Sequence, residues 1–151
     1  MPERHLWRIR KKNNDQVGEK VDFIEAFTKR SHGPDWMEAN IALNRTVADY
    51  AGPVRSETML EAGLKHVRRL KGKLHETCMA RHEWELTRVL EDVNLYDIGE
   101  LVFVGALEGK ESRGLHQRMD YPYTDPLLSN KSLTLKKVDG RPVMEWRDVP
   151  D

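Results

Sequence analysis

The chain contains one cysteine, Cys78, so no intrachain disulfide can form and a reducing compartment is favoured. It contains no apolar run of about 18 residues, which excludes a transmembrane helix by hydropathy. Met1-Pro2-Glu3-Arg4-His5 leads into no apolar h-region, so no signal peptide is expected and the predicted location is cytoplasmic. Net charge is also missing: 25 Lys and Arg balance 25 Asp and Glu. Such a chain has no global field with which to gather nucleic acid or an anionic membrane. Aromatic residues are only 7% of the chain. No two glycines are separated by a single residue, which excludes a GxGxxG dinucleotide fingerprint.

What is present is charge of both signs. Charged residues make up 33% of 151 positions, a composition that suits an amphipathic helical bundle with wet outer faces. It also suits a domain that borrows part of its burial from a neighbour. The length allows one domain with a real core.

Three divisions are expected: a lead-in over residues 1–33, a helical bundle over 34–122 and an extended arm over 123–151. The lead-in opens with Arg4, Arg8, Arg10, Lys11 and Lys12 and reads as a solvated, partly ordered segment. No aromatic platform follows that would make it a nucleic-acid arm. Val21, Phe23, Ile24 and Phe27 can dock a helical turn or two onto the body.

A first long helix is predicted from about Asp35 to Tyr50, with Pro34 and Asp35 suited to its start and Gly52-Pro53 ending it. Met37, Ile41, Val47, Ala48 and Ala51 form its expected apolar side. Ser56 is placed to cap a second helix reaching about Cys78. Leu60, Leu64, Val67, Leu70, Leu74 and Cys78 recur on one stripe, the clearest amphipathic pattern in the chain. A third helix begins near His82 with Trp84, Leu86, Val89, Leu90 and Val93 on its apolar side. It is expected to break near Asn94, a poor interior residue, and to resume through Ile98, Leu101, Val102, Gly105 and Ala106. Gly99 and Gly105 permit close helix approach, and Gly114 can supply a left-handed stop. After Asp120 the prolines end helix formation. Ser132–Val138, the Asp139-Gly140 turn and Arg141–Trp146 then make a β-hairpin signal. An isolated hairpin is marginal in water, so it should pack on the bundle or add to a partner's sheet. The expected fold class is mainly α: a three-helix bundle, its third helix broken, with a C-terminal extended segment and β-hairpin.

Chemistry-bearing side chains gather at Glu111, Ser112, Arg113, Gly114 and His116. Arg grips carboxylates and carbonyl pairs well, and Gly lets another backbone approach. The plain alternative is a helix C-cap with a local Arg–Glu pair. His75, Cys78 and His82 would share a face on a continuous helix, but a structural zinc site needs a fourth ligand, so no metal site is assigned. Lys65, His66, Arg68, Arg69, Lys71 and Lys73 lie opposite the apolar stripe of the second helix and read as a solvated face rather than a phosphate site. Trp7, Trp36, Trp84 and Trp146 read as core or contact anchors.

Four segments in order carry a family resemblance over about residues 36–122. They are Tyr50-Ala51-Gly52-Pro53-Val54-Arg55, Leu60-Glu61-Ala62-Gly63-Leu64, Leu90-Glu91-Asp92-Val93-Asn94-Leu95, and the run from Glu111 to Pro122. Together they resemble the C-terminal helical domain of the fumarate reductase/succinate dehydrogenase flavoprotein family, which includes L-aspartate oxidases and is related to adenylylsulfate reductases. The first segment departs from the family pattern in having Pro53 where a hydrophobic residue is usual. The resemblance implies a bundle packed on a flavin-binding domain or subunit of a FAD-dependent oxidoreductase. Glu111, Ser112, Arg113, Gly114 and His116 would be domain-docking residues. It implies no catalytic and no cofactor-binding residue in this chain; FAD would belong to the complete enzyme, and the chain alone would be inactive. An iron-sulfur electron-transfer subunit is a further candidate partner, an oligomer is compatible with the sequence, and nucleic acid is not expected. The rival reading is a stand-alone helical adapter that mediates protein–protein interaction.

Overall fold

The computed structural model describes residues 3–139 and 141–149, with side chains for 15–139 and 142–149. The basic side chains between Arg4 and Lys12, the Trp7 indole and the backbone of Gly140 lie outside the described residues.

Four helices form in chain order: α1 Glu3–Thr28, α2 Trp36–Tyr50, α3 Glu57–Thr77 and α4 Glu83–Glu108. The starts of α2 and α3 follow from their caps. Asp35 accepts the Glu38 N–H at 3.0 Å and Ser56 accepts the Met59 N–H at 3.3 Å. The α3 stripe is buried as its spacing predicts: Leu60, Val67, Leu74 and the following Cys78 all lie in the core. Arg68 and Lys71 on its wet face pair with Glu100, and Lys71 also with Asp97, which ties α3 to the outside of α4.

Three expectations need correction. The lead-in is largely one long helix whose last turns meet the body. Phe23 and Phe27 meet edge-on at 5.2 Å, and Phe27 is buried in the core. Arg30 just beyond sends both terminal nitrogens to the last carbonyls of α3, Nη1 to Cys78 O and Nη2 to His75 O, each at 2.6 Å. Second, α4 runs unbroken through Asn94. Asn94 is solvent-exposed there, so its amide competes with no buried backbone bond and costs only its modest propensity. Third, α2 meets the core on part of its expected face only: Val47 and Ala51 pack there as expected. Leu43 and Thr46 are buried, whereas Met37 and Ile41 point outward. Thr46 satisfies its hydroxyl on the Ala42 carbonyl at 2.7 Å, so a polar residue can occupy the core side.

The closest approach of α2, α3 and α4 is at Gly63, not at Gly105. A Cβ on Gly63 would lie 2.3 Å from Phe103 Cε1 and 2.5 Å from Tyr50 Cβ. Gly99 is also tight, since a Cβ there would come 3.0 Å from Leu43 Cδ1. Between α2 and α4, Tyr96 donates to the Ala39 carbonyl at 2.8 Å and Asn40 donates to Asp92 Oδ1 at 2.7 Å. Asp92 is fully buried and its Oδ2 has no partner among the described residues, so burial pushes its carboxyl above the usual range.

Two short sheets complete the fold. β1 Val54–Arg55 pairs in parallel with β2 Gln117–Arg118, bringing the turn after α2 against the chain after α4. β3 Lys131–Val138 pairs antiparallel with β4 Arg141–Asp148, with Leu133 opposite Trp146 and Leu135 opposite Met144. These four apolar residues share one face, and a Cβ added at Gly105 of α4 would lie 4.0 Å from Leu133 Cδ2. Asp139 has φ of 48°, the left-handed conformation a type I′ turn demands.

Gly63→Ala should therefore strain the helix crossing, because Tyr50 Cβ is held by its own backbone and cannot give way. Overpacking of this kind costs about 1–3 kcal/mol. Thermal unfolding followed by circular dichroism should show a midpoint lowered by roughly 3–10 °C for a chain of this size.

The braced corner after the last helix

The chain leaves α4 at Gly109 and enters a corner built from Lys110 to Asp125. Gly109, rather than Gly114, closes the helix: its N–H reaches Gly105 O at 3.2 Å. Gly114 does take the left-handed conformation, with φ of 56°, but as the first central residue of a β-turn. Arg113 and His116 exchange backbone bonds across that turn at 2.8 and 2.9 Å. Positive φ at the first central position and not at Leu115 is the pattern of a type II′ turn.

Four of the five expected docking residues carry side chains, and the corner divides them between inward and outward work. Glu111 is buried. It accepts two bonds from Arg113, Nε at 2.9 Å and Nη2 at 3.1 Å, and a third from the Asp125 N–H at 2.8 Å. The Arg113 bond holds its carboxyl below the usual range. Ser112 donates to Tyr121 O at 2.8 Å and accepts the Arg118 N–H at 2.8 Å, closing the corner on itself. His116 also turns inward. Arg55 Nη1 lies 3.0 Å from Nδ1 and Gly109 O lies 2.8 Å from Nε2. Since Arg can only donate, Nδ1 is the acceptor and Nε2 carries the proton that goes to Gly109. Arg113 and Gly114 face solvent.

The most consequential side chain of the corner was not singled out by sequence. Arg118 is 1% exposed. Its Nε and Nη2 grip Asp120 at 2.8 and 2.6 Å, and its Nη1 reaches Ala106 O at 2.9 Å and Gly109 O at 3.3 Å. Asp120 Oδ2 also accepts the Glu57 N–H at 2.9 Å. One ion pair thus satisfies carbonyls at the end of α4 and an amide at the start of α3. The Tyr121 ring lies 5.0 Å from the guanidinium. Arg118 holds the Asp120 carboxyl far below its ordinary range. The only available signal was the alternation Arg118-x-Asp120 beside two prolines, which does not distinguish a buried pair from an exposed one.

Outside this braced interior the corner is oily. Leu115, Met119 and Tyr123 are 78%, 71% and 84% exposed, and Leu127 and Val54 are exposed nearby. A shallow cleft of about 510 Å³ runs among Val54, Arg113, Gly114, Gln117 and Met119. The other proposed clusters are not assembled. α3 ends before Cys78, so His75, Cys78 and His82 do not share a helix face. His75 packs on Phe23 with ring centroids 5.6 Å apart, and burial lowers its pKa. Among the described residues no group of three His, Cys, Asp or Glu is placed to hold a metal. Nor do they form a dinucleotide cradle: parallel pairing is confined to the two-residue strands β1 and β2, and no Gly-rich strand–helix turn follows. No described helix is long and apolar enough to cross a membrane.

A helical domain with a braced, Arg-bearing corner and a trailing hairpin defines the class of protein. Residues 40–151 match the family described as fumarate reductase flavoprotein C-term, and the chain belongs to that family. Over 120 residues it is 31% identical to L-aspartate oxidase 2-b, chloroplastic, of Nicotiana tabacum, a match covering 70% of this chain and 18% of that protein. Over 139 residues it is 26% identical to the fumarate reductase flavoprotein subunit of Haemophilus influenzae, covering 89% of this chain and 23% of that one. Among solved structures, adenylylsulfate reductase from Archaeoglobus fulgidus superposes with a TM-score of 0.74 at 22% identity, covering 91% of this chain and 25% of that chain. E. coli quinol fumarate reductase superposes with a TM-score of 0.72 at 19% identity, covering 90% and 24%. The fold is thus shared, and the chain spans a quarter or less of the proteins it is similar to.

Removing the Arg118 guanidinium leaves the Ala106 and Gly109 carbonyls without their donor, and leaving a buried polar group unpaired costs about 1–3 kcal/mol. Arg118→Leu should therefore unfold at markedly lower urea than wild type, with loss at both the α3 start and the α4 end visible by hydrogen exchange. Acid should act through Asp120. A carboxylate with a depressed folded-state pKa contributes stability above its unfolded pKa, near 4, and loses it as pH falls through the folded value. The wild-type urea midpoint should decline below pH 4, and Asp120→Asn should flatten that decline while lowering the midpoint at pH 7.

Proposed function

We propose that this chain is the C-terminal helical domain of a FAD-dependent oxidoreductase of the fumarate reductase/succinate dehydrogenase type. It docks through the Glu111–His116 corner on the flavin-binding domain or subunit and stabilises it, without catalytic residues of its own. The observation that carries the reading is the contrast within the corner. Its interior is held by Glu111, Ser112 and Arg118, while its outer surface presents Arg113, Leu115, Met119 and Tyr123 to solvent. A rigid frame that presents exposed apolar side chains together with an Arg has the composition of an interface. A stand-alone adapter with a closed bundle would have no need of it. On this reading the complete enzyme carries FAD and moves an electron pair to or from a small acidic substrate in the cytoplasm, and an iron-sulfur subunit is a compatible further partner.

The test is a chimera in which this chain replaces the matching segment of the Haemophilus influenzae fumarate reductase flavoprotein subunit. The purified chimera should retain close to one FAD per chain, and Leu115→Asp with Met119→Asp should reduce that several-fold without lowering the melting temperature of the isolated domain. A wild-type chimera devoid of flavin, or a double variant that keeps it, would overturn the reading. So would near-stoichiometric FAD on the isolated chain.

A further inference from the structure

α4 is apolar on two sides. One side faces the core through Val89, Tyr96, Phe103 and Ala106. The other carries Leu95, Ile98, Val102 and Gly105, spaced three, four and three residues apart, the spacing by which one helix presents a continuous seam to another. Ile98 is 56% exposed and Val102 40%. A helix apolar all round is normally buried all round. Between the seam and the Leu133, Leu135 and Trp146 face of β3–β4 lies an open groove of about 610 Å³.

Charge at one end of this groove says what fits it. Arg55 lines it, half-buried, with Nε on Gly52 O and Nη1 on His116. No carboxylate pairs with Arg55 among the described residues. Arg113 also lines the groove but is already paired in two bonds with Glu111, so Arg55 is the guanidinium left without a counter-ion there. A half-buried guanidinium without a counter-ion gains a charge-assisted bond when a carboxylate arrives. The segment Tyr50–Arg55, conspicuous in sequence, acquires a purpose here: β1 and the Gly52 carbonyl hold Arg55 at the groove mouth.

We infer that the α4–hairpin groove seats an amphipathic helix with an acidic end, supplied by the flavin-binding part of the enzyme. Its apolar stripe lies along Ile98 and Val102, and a carboxylate at its end meets Arg55. This rests on the docking reading above and adds a second contact, separate from the Leu115 and Met119 patch.

The probes are two fluorescein-labelled, hydrocarbon-stapled 14-residue peptides of equal helicity. Both carry Leu at helical stripe positions, one with Glu and the other with Lys elsewhere. By fluorescence anisotropy the acidic peptide should bind the chain about tenfold tighter than the basic one. Val102→Asp, at an exposed position, should abolish binding with an unchanged melting temperature, and Arg55→Gln should remove the acidic preference that Arg55→Lys keeps. In the chimera, Val102→Asp should lower flavin retention although the corner is intact. Absent binding, equal binding of the two peptides, binding indifferent to Val102→Asp, or a wild-type dimer in sedimentation that Val102→Asp dissociates would each overturn the inference. If the Leu115 and Met119 chimera fails its test while the acidic peptide still binds, the corner reading falls and the groove's chemistry stands. The reverse result removes the groove alone.

Discussion

The structure after α4 depends on one buried guanidinium. Arg118 meets the carbonyls at the end of α4, grips Asp120, and through Asp120 reaches the first amide of α3. These groups are the polar ends that a helix leaves unsatisfied, and here two helices share a single ion pair to satisfy them. Everything else in the corner is arranged around that pair. Ser112 holds the Arg118 amide, β1 pairs with the strand that carries Arg118, and Glu111 anchors the outward Arg113 from the opposite side. The turn that faces solvent is thereby rigid without being covered, and a docking surface needs that combination so that little ordering entropy is lost on association.

The same economy governs the apolar surface. The buried core is built from one face each of α2, α3 and α4 and the last turn of α1. About half of the exposed large apolar residues lie on the corner and along the outer seam of α4, and most of the others are spread over α1, α2 and the hairpin. Scattered exposed apolar residues are ordinary, so only the clustered ones on the corner and the α4 seam call for an explanation. A chain that covers a quarter or less of its relatives' length is in keeping with that distribution. The orphan Oδ2 of Asp92 and the unpaired Arg55 differ in this respect. The first lies sealed between α2 and α4 and is a cost of packing, whereas the second lies open at a groove and can still be met.

Much of the helical framework was legible because it is written in local chemistry. Asp35 and Ser56 are caps whose side chains have no better use, and the α3 stripe repeats too regularly to be anything but a buried face. The hairpin was legible for the same reason, since period-two alternation around Asp139-Gly140 has few alternatives. Errors arose where burial overrode local preference. Asn94 argued for a break that solvent exposure made unnecessary. Met37 and Ile41 argued for an apolar side of α2 that turned out to face water, because Thr46 could bond its own helix and take the core position. The corner's residues were found as a cluster, but their division into inward braces and outward contacts was not, since adjacent polar residues look alike in a string.

The amino-acid sequence alone determined the helical class, the helix starts, the amphipathic α3, the hairpin and the absence of a dinucleotide fingerprint. Each of these depends on residues within a few positions of one another. Tertiary structure alone decided that Arg118 would be buried, that Gly63 would be the point of closest approach, and that α4 would keep a second apolar face uncovered. Each of these joins residues far apart in the chain: Arg118 must find the end of α4 and Asp120 the start of α3, and Gly63 must meet Tyr50 and Phe103. A side chain's chemistry fixes what it can bond, but only the assembled neighbours fix whether water or protein supplies the bond.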